Sequence, residues 1–281
     1  MGQTFERILL ASEHGEQDRG AEALAFALSR RCGQPLRLVL PIASNPEFEA
    51  LAPALAARAE AEAAARLAAL RAEADSAGIG LEAVVRRGPE LYAEIVAEAA
   101  EQRADLIVIR RRGRRGRLAN LLVGDMVRSV VAHAPCSVLV VAREARMWQR
   151  RVLVAVDPQG GDTGPAAAAA GVAAECGLPL TVICVTEPAA EAMQRAERAL
   201  QNAWTAARGH GVAIDALMRI GRPHEQIVAA AQELGADLVV IGRHGDDKLG
   251  QAWLGGVAQK VIGLADRPVL VSVTPAAARP P

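Results

Sequence analysis

The chain has 281 residues, 32 basic and 32 acidic side chains, and a composition that is 51% apolar but only 2% aromatic. At roughly 100–200 residues per domain, the length points to about two domains, and the apolar fraction supplies a sizeable core built from Ala, Val, Leu and Ile. Zero net charge excludes a globally basic footprint for duplex DNA, and the scarcity of aromatic faces disfavours a stacking platform for single strands, so no specific nucleic-acid partner is expected.

The first strand is read at Arg7-Ile8-Leu9-Leu10-Ala11 and the second within GQPLRLVLPI, Gly33 to Ile42. Ala54 to Ala74 is almost all Ala, Glu, Arg and Leu, a strong helix-forming composition that Gly78 and Gly80 terminate. Leu106 to Ile109 is too continuously apolar for a half-exposed strand and suits a parallel sheet covered on both faces. Val138 to Val141 is the last strand before a polar stretch, Arg143 to Arg150.

There the pattern begins again. Arg151-Val152-Leu153-Val154-Ala155 repeats the first strand, and GLPLTVICVT, Gly177 to Thr186, repeats the second. Gly164-Pro165-Ala166 opens a helix, with proline where a missing N–H costs little. Ala236 to Ile241 repeats Ala104 to Ile109, and Val269 to Val271 repeats Val138 to Val140. The order is kept while the separations shrink, so a whole domain has been duplicated and the second copy has lost residues chiefly between its second and third strands. Strands alternate with helices in each copy. The expected fold is therefore α/β, with two tandem doubly wound domains, residues 1–144 and 150–275. Each has a five-stranded, mostly parallel sheet flanked by helices.

Such a sheet binds ligands outside the carboxyl ends of its strands, where the strand order reverses. In the second copy that directs attention to Val156 and Asp157, to Val185, and to Ile241-Gly242-Arg243-His244-Gly245, which continues to Trp253-Leu254-Gly255-Gly256-Val257 and a helical pattern through Ile262. Glycines let a backbone approach a ligand closely, and a helix N-terminus points free N–H groups at an anion, with phosphate the natural guest. Trp253 is expected to pack under the turn.

At these residues the chain resembles a tandem universal stress protein, one family domain in each half. Nucleotide-binding members carry Gly-x2-Gly-x9-Gly-Ser/Thr after the fourth strand and an Asp at the end of the first. The second copy has Gly242, Gly245 and Gly255 at that spacing, and Asp157 closes RVLVAVD. Ala134-Pro135-Cys136-Ser137-Val138-Leu139-Val140-Val141 is similar to the family's last turn and strand. The resemblance implies an adenine nucleotide α-hydrolase-like fold that binds ATP or another adenine nucleotide, with Mg²⁺ as an accompanying ion, in the C-terminal domain. Val156, Asp157, Val185 and Ile241 would lie on the adenine and ribose side. Gly242, His244, Gly245, Gly255, Gly256 and Val257 would surround the ribose and phosphates. It further implies that the last strands pair the halves as an intramolecular pseudo-dimer and leaves room for a homodimer of the full chain.

Two features depart from the pattern. Gly256 stands where the family has Ser/Thr, so one hydroxyl is missing while the backbone N–H remains; one hydrogen bond is worth about 0.5–1.5 kcal/mol. Asp246 and Asp247 oppose a triphosphate unless Mg²⁺ or Lys248 intervenes. The first copy has diverged further. Arg110 replaces the first glycine, Gly113 and Gly124 are separated by ten residues instead of nine, Asp125 takes the Ser/Thr position, Pro41 replaces Val185 and Glu13 replaces Asp157. This half is expected not to bind nucleotide. Asp125 is expected either to cap the following helix or to pair with an arginine of the run Arg110, Arg111, Arg112, Arg114, Arg115 and Arg117. That run reads as an anion site or as a solvated loop.

His14, His133, His210 and His224 form no recognisable ligand set, and Cys32, Cys136, Cys176 and Cys184 lack metal spacing and read as reduced and mostly buried. Gly-x-Ser-x-Gly and Gly-Lys-Ser/Thr signatures are missing, so enzymatic activity is the minority reading, with slow ATP hydrolysis left open. No apolar run reaches the ~18 residues a bilayer needs, and Met1 to Glu6 lacks signal-peptide character, so a cytoplasmic protein without a membrane partner is expected. Two functions compete: a stress protein that senses adenine nucleotide through its second half, and a nucleotide-independent stress protein acting through dimerisation and partner binding. A hydrolase or transferase on the same sheet stands third.

Overall fold

The computed structural model describes residues 4–13, 15–111, 124–159, 161–243 and 253–273. The first half runs β1 (Ile8–Ala11), α1 (Arg19–Cys32), β2 (Leu36–Ala43), α2 (Pro46–Leu51), α3 (Pro53–Ser76), β3 (Leu81–Gly88), α4 (Leu91–Glu101), β4 (Leu106–Arg110), α5 (Asp125–His133) and β5 (Ser137–Val141). The second runs β6 (Val152–Val156), α6 (Gly164–Cys176), β7 (Leu180–Thr186), α7 (Ala190–Ala207), β8 (Ile214–Ile220), α8 (Pro223–Glu233), β9 (Leu238–Gly242), α9 (Gly256–Leu264) and β10 (Val269–Ser272). Local chemistry accounts for the boundaries. The Ala/Glu-rich helix α3 stops just before Gly78 and Gly80. Helices α1 and α6 end at equivalent cysteines, each followed by a glycine in the left-handed region (Gly33 φ 62°, Gly177 φ 64°), where a side chain would be strained.

The strand order is β3-β2-β1-β4-β5-β10-β9-β6-β7-β8. All pairings within a half are parallel, so each half is the expected five-stranded doubly wound unit. The halves meet through β5 and β10, which pair antiparallel with Val138 opposite Val271, Leu139 opposite Leu270 and Val140 opposite Val269. One continuous sheet of ten strands results.

Its central strands are buried on both faces, which is why they read as unbroken Val/Ile/Leu runs, whereas the edge strands β3 and β8 are partly exposed. Ile8 and Leu10 point into a core shared with α1, α3, α6 and α7, while Leu9 and Ala11 point into a second core under α4, α5, α8 and α9. Each core runs through both halves. The seam residues Val138, Leu139, Leu270 and Val271 are at most 1% exposed. Burying each such side chain contributes about 1.5–3 kcal/mol, so parting the halves is costly.

The stretch between the halves is anchored. Trp148 is buried and its Nε1 donates to Cys176 Sγ at 3.3 Å. The N–H groups of Gln149, Arg150 and Arg151 converge on the Asp237 carboxylate. Those of Glu6 and Arg7 converge in the same way on Asp105. In each half, the Asp just ahead of the fourth strand thus aligns the start of the first. Among the described residues, no helix is long and apolar enough to cross a membrane.

Candidate functional site

The strand order of the second half reverses between β6 and β9. Pairing of β6 with β9 ends at Val154 opposite Val240, yet β6 continues to Val156 and β9 to Gly242. The two central strands therefore part at their carboxyl ends. On the other side of β6, pairing with β7 ends at Val156 opposite Cys184, leaving Val185 and Thr186 without a β6 partner. The parted strand ends lie where an open parallel sheet places its ligands.

Of the residues singled out from the sequence, Val156, Asp157, Val185, Ile241 and Gly242 lie at or beside those strand ends, and Gly255, Gly256 and Val257 at the start of α9. Asp157 follows β6 half-buried, and its Oδ1 accepts the Gln159 N–H at 2.9 Å. Its charge reaches the end of β7: burial first, and then Asp157, pushes the Cys184 thiol up to about 12. Val185 and Ile241 are 5% and 4% exposed and share a core cluster with Leu254, so they offer a ligand an edge and a backbone more than a surface. Val156 packs toward Cys184 and Ala196, on the α7 side. Gly242 ends β9 opposite Ser272.

The far end of the glycine turn is fixed to the near end, because the Gly255 N–H donates to the Arg243 carbonyl at 3.1 Å. Gly255 is the N-cap of α9 and Gly256 its first residue. Gly256 is exposed, and a Cβ built on it meets nothing within 4 Å. Val257 and Trp253 are 42% and 53% exposed, so Trp253 is not buried as expected, whereas Leu254 is 1% exposed and joins the core. His244 and Gly245 lie outside the described residues, as do Asp246, Asp247 and Lys248. One turn into α9, the Lys260 charge acts on His224 at the start of α8. Burial first, and then Lys260, holds that imidazole below its ordinary value.

The equivalent place in the first half is filled by its own side chains. Arg110 sits where the second half has Gly242. Its Nη2 is 2.8 Å from Glu13 Oε2 and its Nε is 3.1 Å from Asp18 Oδ1. The Asp18 side chain is 1% exposed and its Oδ2 also accepts the Gly15 N–H at 2.8 Å. Beside them Ser12 Oγ donates to Glu22 Oε1 at 2.5 Å. The space left among Ser12, Glu13, Pro41, Ile109, Arg110 and Met126 is about 10 Å³, which is the room of a single water molecule.

Asp125 is the first residue of α5 and Gly124 is the N-cap, so the carboxylate makes no capping hydrogen bond. It pairs with Arg128 at 3.0 Å. Of that run, Arg110 and Arg111 are described and both have internal partners, whereas Arg112, Gly113, Arg114, Arg115 and Arg117 lie outside the described residues, as does His14. No group of three or more His, Cys, Asp or Glu side chains suited to a metal occurs among the described residues. Sequence reasoning missed Asp18 and the contacts made across the seam by Arg111 and Arg243, the two arginines that follow the fourth strands. Their recurrence at one position of the repeat was the available signal.

The chain matches the universal stress protein family twice, over residues 4–142 and 149–272. A universal stress protein of Methanocaldococcus jannaschii is 32% identical over 87 residues, covering 31% of this chain and 49% of that protein. One of Thermus aquaticus is 46% identical over 57 residues, covering 20% of this chain and 42% of that protein. The chain thus spans about half the length of these relatives. Over the whole fold it is similar to the crystal structure of a universal stress protein from Archaeoglobus fulgidus, with a TM-score of 0.73, 18% identity and 98% of both chains covered. With two domain matches that together span most of its length, the chain belongs to the universal stress protein family.

Proposed function

We propose that this stress protein takes up adenine nucleotide (ATP, ADP or AMP) in the crevice of its second half alone. Asp157 and the Val185 backbone would receive the nucleoside, and the Gly242–Gly256 turn with the N-terminus of α9 would receive the phosphates. The contrast at one position supports this reading most directly: Arg110 closes the first half with an ion pair to Glu13 and Asp18, while Gly242 keeps a side chain out of the second. Glycine backbone at a helix N-terminus suits an anion, and it needs no side-chain hydroxyl at position 256 to do so. The first half serves as a filled pseudo-site and partner surface, and the paired β5 and β10 make the chain an intramolecular pseudo-dimer. Binding energy then shifts conformation or assembly instead of driving a reaction.

The test is calorimetric titration of the full chain with ATP and Mg²⁺, alongside Gly242→Arg. One equivalent bound by the wild type and none by the variant is the expected result. Equal heats from the two would remove the glycine turn from the reading. The nucleotide-independent alternative would be favoured by protein that purifies without nucleotide and shows no thermal shift with ATP, ADP or AMP.

A further inference from the structure

Arg111 and Arg243 occupy the same position of the repeat, one residue beyond the fourth strand, and each crosses the seam. Arg243 Nη1 donates to the Ala134 carbonyl at 2.9 Å, where Ala134 is the C-cap of α5 in the first half. Arg111 Nη1 donates to the carbonyls of Ile262, Gly263 and Ala265, and Ala265 is the C-cap of α9 in the second half. A cation at the carbonyl end of a helix satisfies orphan acceptors and opposes the helix dipole favourably.

The two arginines differ in what their own backbones hold. The Arg243 carbonyl accepts the Gly255 N–H and so ties β9 to the first turn of α9. The side chain of Arg243 is fixed by one half of the molecule and its carbonyl shapes the turn of the other. We propose that Arg243 is a positioning residue through which the first half sets the geometry, and hence the nucleotide affinity, of the glycine turn in the second. This rests on the nucleotide reading above. Arg111 makes the reciprocal seam contact at the other end of α9, about 13 Å along the helix from Gly256.

The experiment measures nucleotide affinity and Tm for the full-length wild type, Arg243→Ala and Arg111→Ala, with ADP as the probe. Each variant loses a charged hydrogen bond across the seam, so both should melt lower, but Arg243→Ala alone should weaken ADP binding, by about ten-fold. Arg111→Ala should stay within about two-fold of the wild type. Wild-type affinity in Arg243→Ala, or equal weakening in both variants, would overturn the positioning role and leave the site intact. A wild type that takes up no ADP would overturn the site and the positioning role together. Arg243→Gln, too short to span the same gap, replaces the alanine variant if that one does not fold, with the same weakening expected and the same overturning result.

Discussion

The two halves share one strand order, and they differ most plainly at the residue that follows the apolar run of the fourth strand. Ile109 is followed by Arg110 and Ile241 by Gly242. The guanidinium gathers Glu13 and Asp18 and leaves space for about one water molecule. The glycine brings no side chain, and the central strands separate beside it. At one position at the carboxyl end of a strand, the first half thus carries an ion-paired side chain and the second half none.

That comparison can be broken most forcefully from the first half. Arg110→Gly removes the cation facing the buried Asp18 and the half-buried Glu13, and breaking a buried pair from one side costs about 3–5 kcal/mol. Urea denaturation should show that loss and titration should show no new nucleotide site; unchanged stability would mean the ion pair does not hold this half together. Next in size is Asp157→Ala in the second half. Loss of a charged acceptor should weaken ATP binding by about ten-fold or more with little change in Tm. An unaltered dissociation constant would place the nucleoside elsewhere.

Gly256→Ser sharpens the comparison in the opposite direction. The position has room for a Cβ, so the hydroxyl should tighten nucleotide binding by about 0.5–1.5 kcal/mol. Weaker binding in this variant would show that the turn is built around a bare backbone.

The smallest effect concerns pH. Burial first, and then the Lys260 and Arg222 charges, lowers the His224 pKa from 6.5, with Glu225 opposing. The unfolded chain then takes up the proton more readily. Stability contributed by neutral His224 is complete above the ordinary value and is lost as pH falls from there toward the folded value. His224→Gln should flatten the denaturation midpoint across that window. The first half has Tyr92 at this position, its ring 5.3 Å from His133. A slope that survives in His224→Gln would have to come from another group.

Much of the architecture was legible because it rests on local periodicity. The repeated strand runs, the proline-led α6 and the glycine-stopped α3 each carry their cause in adjacent residues. The place where the strand order reverses followed from element order alone. Partner choice was not legible. Nothing near Arg110 in sequence announces Glu13 or Asp18, and nothing near Arg243 announces Ala134; those distances close only when the sheet forms. Asp125 shows the same limit at short range, since the geometry of α5 brings it Arg128 three residues on and leaves capping to Gly124. The stretch Arg143 to Arg150 reads as polar, yet Trp148 within it is buried because its indole reaches Cys176.

The antiparallel seam has a consequence for association. The last strands, which separate domains would offer to one another, already satisfy each other inside one chain, so their contact persists on dilution as a tethered pair does. Among the described residues the free margins of the sheet are β3 and β8. Both are studded with charge: Glu82, Arg86 and Arg87 on one, Asp215 and Arg219 on the other. Charged margins resist strand addition. Charge along both margins thus disfavours joining two chains edge to edge and leaves the seam that duplication sealed untouched.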